Sequence, residues 1–130
     1  MKVYLAARWE QGPLMRQWRA ALEIRGHTVT ARWLDVQASG LRAIEGDEIM
    51  RENALHDFQD IKDCDLMIVY SPRSGFGSGR GGRHAELGIA LGMGKPVVLV
   101  GEHENIFHWH PAVALVADFD AAMALFAGQA

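Results

Sequence analysis

Residues 66–88, LMIVYSPRSGFGSGRGGRHAELG, decide the fold of this chain. They open with a continuous apolar run, Leu66 to Tyr70, which predicts a strand. A loop rich in Gly, Ser and Arg follows, and an apolar helical pattern begins after it. A strand, a glycine-rich loop and a helix in this order are typical of an open α/β sheet, in which ligands bind beyond the carboxyl ends of the strands. We therefore expect Glu86 in the first turn of a helix, beside a ligand-binding crevice.

The rest of the chain alternates strands and helices around this unit. The predicted strands are residues 2–6, 27–34, 65–70 and 96–100, with a short fifth at 112–116. The predicted helices cover the stretch from Pro13 to Arg25 and residues 45–62, 84–93 and 121–126, with residues 35–45 as a loop. This order predicts one α/β domain over residues 1–130, with a parallel sheet of about five strands and helices on both faces.

Composition excludes several classes of protein. At 130 residues, 49% apolar and 22% charged, the chain has the make-up of an ordinary soluble globular domain. A net charge of -3 argues against a dedicated nucleic-acid binder. The lone Cys64 excludes an intramolecular disulfide and is expected to be a buried thiol beside a strand. No apolar run approaches the length of a membrane span, and the N-terminus lacks a signal-peptide core, so the cytoplasm is the expected location.

Glu86 is the first candidate for chemistry. Carboxylates are common in first turns because they suit the helix dipole, so a structural role is one reading. The neighbouring Gly81, Gly82 and Gly88 favour the other, since glycines let a ligand or another stretch of backbone come close.

Asp57 is the second candidate. It lies at the edge of an apolar stripe predicted on the helix over residues 45–62, formed by Ala54, Leu55, Phe58 and Ile61. A carboxyl group at a core boundary either pairs structurally or faces a pocket, and the pattern leaves both open. Asp60 and Asp63 are expected to point outward and to be solvated.

The carboxyl ends of the predicted strands collect further candidates at one rim of the sheet. Ala6, Arg8 and Trp9 follow the first strand, and Tyr4 lies within it, near enough for its hydroxyl to reach the rim. Trp9 and Trp33 are either core residues or a surface on which a flat ligand stacks. Trp18, on a helical stripe, is expected in the core.

Arg80 and Arg83 flank the end of the glycine-rich loop. Guanidinium groups and backbone N–H groups bind phosphate well, so the loop is either an anion site or a solvated basic segment. It lacks both the Walker A sequence and the dinucleotide-binding fingerprint.

Three histidines, His103, His108 and His110, follow the fourth predicted strand. No Cys, Asp or Glu at matching spacing completes a zinc site, so we expect neither a metal nor another cofactor. The aromatic run over residues 106–111 is more typical of an aromatic wall or an oligomer contact.

Four stretches together resemble the nucleoside 2-deoxyribosyltransferases and the related nucleoside 5'-monophosphate N-glycosidases. They are residues 2–9 (KVYLAARW), 57–66 (DFQDIKDCDL), 82–90 (GRHAELGIA) and 94–100 (GKPVVLV), in the order of that family. The resemblance implies a flavodoxin-like or Rossmann-like fold. It also implies cleavage of the N-glycosidic bond of a 2'-deoxynucleoside or nucleotide, and an assembly of at least two subunits.

The resemblance also implies a role for each matching residue. Glu86 would attack C1' to form a glycosyl ester, Tyr4 would hold that carboxylate, and Asp57 would handle the proton of the leaving base. The first-strand match places Ala6, Arg8 and Trp9 at the base, and the third places Gly82 and Arg83 at the substrate.

The chain departs from the family pattern at two places. The family often has an acidic residue six positions before the nucleophile, where this chain has Arg80, and a basic loop favours a phosphorylated substrate. The chain ends without the aromatic terminus that some members use. Residues 106–110 correspond to where the family reaches across a subunit interface, so His108 or His110 is a candidate contact to substrate there.

Three functional hypotheses follow. The first is a transferase that exchanges bases on 2'-deoxynucleosides through an ester of Glu86. The second is a hydrolase that releases the base from (deoxy)nucleoside 5'-monophosphates. The third, from another class, is a nucleotide-binding sensor without turnover. All three need only a small nucleoside or nucleotide, with a free base in the first, and no nucleic acid or membrane.

Overall fold

One parallel sheet runs through the part of the chain that the structure, a computed structural model, describes: residues 1–40, 46–72 and 81–127. Its strands are β1 (Lys2–Ala6), β2 (Thr28–Val29), β3 (Leu66–Ser71), β4 (Val97–Gly101) and β5 (Val113–Val116). The helices are α1 (Gly12–Ile24), α2 (Trp33–Ser39), α3 (Gly46–Asp63), α4 (Gly82–Gly92) and α5 (Phe119–Ala127). The strand order is β2-β1-β3-β4-β5, which is the flavodoxin-like order, so the predicted fold class is confirmed.

The helices cover both faces of the sheet. On one face α1 meets α5, where the rings of Trp18 and Phe119 stack with centroids 4.7 Å apart. On the other face α3 packs against α4. In the sheet, β2 lies on one side of β1, whereas β3, β4 and β5 follow one another on its other side. The direction in which successive strands are added therefore reverses after β2. The crevice of an open sheet forms at such a reversal, here beyond the carboxyl ends of β1 and β3.

The core consists mainly of strand residues and of helix residues that pack on them. β1 is buried from Val3 to Ala6, and β3 is buried through most of its length because helices cover both sides. Trp18 and Cys64 are buried, as predicted.

The second predicted strand is too long. Residues 27–34 were expected to be extended, but β2 holds only Thr28–Val29 and helix α2 already begins at Trp33. Contacts with α3 draw the chain away from the sheet edge, since Thr30 Oγ1 donates to the Asp60 carbonyl and the Arg32 amide donates to the Asp60 carboxylate. The loop expected over residues 35–45 is helical up to Ser39, and residues 41–45 lie outside the described part of the chain.

The predicted apolar stripe of α3 is also wrong. Ala54, Leu55 and Phe58 are exposed, and the buried residues of the helix are Asp60 and Ile61. Asp60, expected in solvent, is 4% exposed because it pairs with Arg32 through both its carboxylate oxygens. The spacing of apolar residues in the sequence predicts the apolar side of a helix. It does not predict that an acidic residue such as Asp60 is buried because it pairs with a cation elsewhere in the chain.

Helix α4 begins at Gly82, two residues earlier than predicted, and this moves Glu86 out of the first turn. Gly81 precedes the helix in the left-handed region (φ 89°), and its carbonyl accepts from the amides of His84 and Ala85. Glycine adopts this conformation without strain, so the helix starts directly after it. Glu86 therefore lies in the second turn, where the dipole of the helix gives a carboxylate little stabilisation.

Candidate active site

A cleft of about 820 Å³ opens beyond the carboxyl ends of β1 and β3. Its walls come from the residues after β1, the start of α2, one side of α3 and the first two turns of α4. The sheet thus brings together residues from Ala7 to Glu86, which are 79 positions apart in sequence. The cleft is large enough for a ligand of nucleoside size, since small-molecule sites commonly span about 300–1,000 Å³.

Glu86 lines this cleft, and its side chain is held by Tyr4 of strand β1. The Tyr4 hydroxyl donates a hydrogen bond to Glu86 Oε2, so the side chain of a central strand fixes the carboxyl group from below. Tyr4 itself is fully buried, and burial first, then the charge of Glu86, keeps its pKa well above the usual value. It therefore remains a neutral donor at physiological pH. The sequence prediction that Tyr4 reaches the rim is confirmed by this contact.

The Glu86 carboxyl group binds its proton unusually tightly. Burial raises its pKa to about 8, and the nearby charge of Asp57 acts in the same direction. The hydrogen bond from Tyr4 opposes these effects because it stabilises the carboxylate form. A carboxyl group that titrates near neutral pH in a cleft is typical of groups that exchange protons or bonds with a ligand.

Asp57 lies in the wall that α3 contributes to the same cleft. It is partly buried, and its charge acts on both Glu86 and Tyr4. Of the two readings left open by the sequence, the cleft lining fits the pocket, and a structural pairing of Asp57 is compatible with it. Two carboxyl groups in different surroundings thus share one cavity.

Two guanidinium groups form a third side of the cleft. Arg8 follows β1 and Arg83 is the second residue of α4; both line the cleft, although they are only 8% and 4% exposed. Arg83 Nη2 donates to Glu104 Oε2, and Arg8 Nη2 lies 4.0 Å from the same oxygen. Arg8 Nε and Nη1 and Arg83 Nε have no hydrogen-bond partner among the described residues. Burying donors of this kind costs folding free energy unless a ligand or water accepts their hydrogen bonds.

Another part of the cleft lining is aromatic. The rings of Trp9 and Trp33 lie 6.1 Å apart at an interplanar angle of 33°, and both residues line the cavity. Trp33 is anchored because its indole N–H donates to the Leu5 carbonyl at 2.8 Å. Trp33 is therefore a core residue, as one reading predicted, and it also lines the cleft; the stacking of a flat ligand on it stays a prediction.

The structure gathers most, but not all, of the predicted site residues. Glu86, Asp57, Arg8, Trp9, Gly82 and Arg83 line the cleft, and Tyr4 touches it through Glu86. Ala6 is fully buried in β1 and does not itself line the cleft. His108 is 1% exposed and accepts the Glu104 amide at Nδ1, so it supports the loop after β4 rather than the cleft of its own chain. Arg80 lies outside the described residues.

Glu104 is the residue that sequence reasoning missed. It lies after β4, within the rim that the strand pattern outlined, but nothing in its neighbourhood marked it. A close backbone contact positions its loop: a Cβ on Gly101 would lie 1.8 Å from the Ser71 carbonyl oxygen, and Gly101 has φ 121°. Ser71 Oγ then donates to Glu104 Oε1. Such a contact between two strand ends depends on tertiary structure and leaves no local signal.

The described part of the chain lacks two kinds of feature. Among residues 1–40, 46–72 and 81–127, no cluster of three or more His, Cys, Asp or Glu side chains is arranged to hold a metal ion. Within the same ranges, every helix is too short or too polar to cross a membrane.

Fold and cleft together define a class: a flavodoxin-like α/β protein with two carboxyl groups and two buried guanidinium groups around one crevice. Three solved structures are similar to it. A 2-deoxyribosyltransferase from Bacillus psychrosaccharolyticus matches with a TM-score of 0.71 and 22% identity, over 94% of this chain and 90% of its own. A 2-deoxyribosyltransferase from Leishmania mexicana matches with a TM-score of 0.67 and 16% identity, over 98% and 97%. A CMP N-glycosidase from Clostridium botulinum matches with a TM-score of 0.59 and 19% identity, over 98% of each chain.

No family model and no curated protein sequence matches the chain. At these identities the three structures show a shared fold. They carry the names of the family that the four sequence stretches resemble, so that resemblance is confirmed at the level of the fold.

Proposed function

We propose that this protein cleaves the N-glycosidic bond of 2'-deoxynucleosides and transfers the deoxyribosyl group to another nucleobase through an ester of Glu86. The observation that carries the proposal is the pair of carboxyl groups in one cleft: Glu86, held by the Tyr4 hydroxyl, and Asp57 on α3. Two carboxyl groups in unlike surroundings are the usual equipment for breaking a glycosidic bond. The names of the three structural neighbours support the same choice of bond.

In the first half of the reaction a carboxylate oxygen of Glu86 forms a bond to C1'. The bond from C1' to the base nitrogen breaks, its electron pair stays with the base, and Asp57 supplies the proton that the base then carries. In the second half the nitrogen of an incoming base displaces Glu86 from C1' and passes its proton to Asp57. Both carboxyl groups return to their starting states, and the covalent step divides one hard displacement into two easier ones.

The raised pKa of Glu86 fits this cycle. At neutral pH the empty cleft holds a proton on Glu86, whose pKa is about 8. Transfer of that proton to Asp57 would produce the nucleophile and the acid together. Tyr4 assists because its hydrogen bond favours the carboxylate. Withdrawal of the reacting groups from solvent also favours ester formation over loss to water.

The lining of the cleft suggests how a nucleoside would lie. The base would rest towards Trp9 and Trp33, since aromatic side chains provide apolar surface for a flat ring. The sugar would then face Glu86 and the glycine-flanked start of α4. A Cβ on Gly82 would meet nothing within 4 Å, so packing within the protein does not require this glycine. Open space at Gly82 is what close approach of a sugar would use.

Base exchange tests the proposal directly. Wild-type protein is incubated with a 2'-deoxynucleoside and a different free base, and the products are separated by chromatography. A new deoxynucleoside supports transfer. Mass spectrometry of acid-quenched protein should show a deoxyribosyl adduct on the peptide that contains Glu86. Binding of nucleosides and nucleotides without any cleavage would instead support the sensor hypothesis.

A second candidate function rests on Arg8 and Arg83. Their unpartnered N–H groups offer a buried anion site beside Glu86, as a 5'-phosphate would require. The candidate is hydrolysis of (deoxy)nucleoside 5'-monophosphates, with water resolving the ester in place of a base. Release of base from the 5'-monophosphate alone, with no exchange product from the nucleoside, would favour hydrolysis over transfer.

We also propose that the protein assembles as a homo-oligomer in the cytoplasm. Ile106, Phe107 and Trp109 are exposed on the turn after β4, a large apolar surface for a lone chain. A second copy would cover it and place its own loop near the cleft, where His108 or His110 was predicted to contribute. Light scattering coupled to size exclusion measures the assembly, and a monomer at micromolar concentration would contradict this part. The lone buried Cys64 suits a reducing compartment.

A further inference from the structure

Glu104 is the point at which most of the buried charge around the cleft meets. One of its oxygens accepts from Arg83 and lies 4.0 Å from Arg8 and 3.7 Å from His84 Nε2. The other accepts from Ser71 Oγ. The side chain of Glu104 is 13% exposed, so solvent screens these interactions only weakly.

The charges in this group do not balance. Arg8 and Arg83 each carry a positive charge, and Glu104 is the carboxylate that both approach. Burial, followed by the charge of Arg83, lowers the pKa of His84, which is therefore neutral at pH 7 and adds no cation. The group retains one excess positive charge and three unpartnered guanidinium nitrogens among the described residues. An excess buried charge is costly, and an anion entering from the cleft would relieve it.

We propose that Glu104 determines the anion preference of the cleft by acting as a resident counter-ion to Arg8 and Arg83. With Glu104 charged, the group of Arg8, Arg83 and Glu104 carries one excess positive charge, and the cleft can accept either an uncharged nucleoside or a phosphorylated one. With that charge removed, two guanidinium groups would face the cleft unopposed, and phosphate would bind more tightly. The consequence for turnover rests on the proposed function, whereas the effect on phosphate binding does not.

The variant Glu104→Gln tests this inference, because the amide keeps the shape and an acceptor for Arg83 while it removes the charge. Inorganic phosphate is titrated into the wild type and the variant and followed by NMR, which detects millimolar binding. We expect phosphate affinity to rise about tenfold, the effect of one added charge several ångströms from the anion in a partly buried site. Unchanged or weaker phosphate binding in the folded variant would overturn the proposal.

Glu102→Gln is the matched control. Glu102 lies in the same loop and is exposed, so this variant changes net charge equally without touching the guanidinium groups. The phosphate affinity of Glu102→Gln should stay at the wild-type value. A rise equal to that of Glu104→Gln would show a general effect of net charge and would contradict the proposal. If Glu104→Gln does not fold, Glu104→Asp decides, since the shorter side chain withdraws the carboxylate from both guanidinium groups: tighter phosphate binding supports the proposal and an unchanged affinity refutes it.

Turnover gives an independent reading. In Glu104→Gln, kcat/KM for a nucleoside 5'-monophosphate relative to the matching nucleoside should rise about tenfold, a change of ratio that a merely structural role would not produce. If no glycosidic cleavage is ever observed but phosphate binding tightens as expected, the proposed function fails and the role of Glu104 stands. If cleavage is observed but the phosphate affinity does not change, the proposed role of Glu104 fails and the proposed function stands.

Discussion

Helices α3 and α4 line the same cleft, but they are held in place in different ways. Three of the eleven residues of α4 are buried, including the charged Arg83, and Glu86 is tied to the sheet through Tyr4. Of the eighteen residues of α3, two are buried, Asp60 and Ile61, and both lie near its carboxyl end. The α4 wall is therefore fixed by packing along its length, whereas the α3 wall is anchored at one end.

In the proposed reaction, this difference would suit the two walls to unlike tasks. A nucleophile must be held close to the atom that it attacks, and the rigid α4 wall provides that. A group that passes protons to and from changing bases tolerates some freedom, and Asp57 lies on the wall with fewer buried residues, within one turn of its anchor at Asp60. Segments with few buried apolar residues open at lower free energy than the core. Variants of each wall therefore test whether a change in α4 affects mainly the reaction and a change at the anchor of α3 mainly the stability.

Replacing Glu86, the proposed nucleophile, should have the largest effect. Glu86→Gln keeps an acceptor for Tyr4 but cannot form a stable ester, so we expect base exchange to fall by at least about 10³-fold. The melting temperature should stay near the wild-type value, because the α4 wall keeps its other contacts. Glu102→Gln, on an exposed loop, serves as the control and should exchange bases normally. A collapse of stability in Glu86→Gln would show that Glu86 is structural.

Asp57→Asn should have the next largest effect. Loss of a positioned proton donor typically costs about 10²–10⁴ in rate, and we expect the loss to be greatest for bases that leave poorly when unprotonated. Asp63→Asn is the matched control, since Asp63 is an exposed carboxylate on the same helix that accepts from Gln59. Steady-state rates with two different leaving bases measure the effect. Equal rates for wild type and Asp57→Asn would remove Asp57 from the mechanism.

The two walls also differ in how well the sequence predicted them. The β3–α4 unit carries its own signals: an apolar strand, a glycine that permits a left-handed turn and a helical pattern. The sequence therefore predicted its elements to within two residues, although not the turn in which Glu86 lies. The α3 wall was predicted as a helix with the wrong buried side. Leu55 and Phe58 have the pattern of core residues yet are exposed, and the buried Asp60 depends on Arg32, 28 positions earlier.

In the candidate site, too, local sequence signals were predictive and long-range contacts were not. Tyr4 and Glu86 could be placed at one rim because parallel strands share a direction, and strand order does not alter that. Glu104 could not, because its contact with Arg83 requires the exact path of the loop after β4 and the close approach of Gly101 to Ser71. Local patterns predict elements, and pairing of buried charges emerges only when the elements pack.

The anchor of α3 supplies a third variant, with an effect on stability. Asp60→Asn replaces one carboxylate oxygen with a donor that faces the Arg32 amide or guanidinium, and we expect a loss of about 1–3 kcal/mol in the free energy of unfolding. Urea denaturation measures this, with Asp63→Asn as the control on the same helix. Hydrogen exchange should quicken in α3 more than in α4. Equal quickening in both helices would contradict the separate anchoring of the walls.

Tyr4→Phe should give the smallest effect and the sharpest test of the α4 wall. The Tyr4 hydrogen bond lowers the pKa of Glu86, which burial raises to about 8, so its removal should raise that pKa further. In the proposed cycle the proton on Glu86 becomes the proton of the leaving base, so kcat/KM should fall with pH as free Glu86 ionises, and in Tyr4→Phe this fall should move to higher pH by about one unit. On the alkaline limb the variant would then keep about tenfold more of its own plateau rate than the wild type does. Tyr70→Phe is the control, because Tyr70 packs edge-on against Trp18, away from the lining residues, and should leave the profile unchanged. A pH profile that keeps its position in Tyr4→Phe while the rate falls equally at every pH would show that Tyr4 only positions Glu86 and does not set its ionisation.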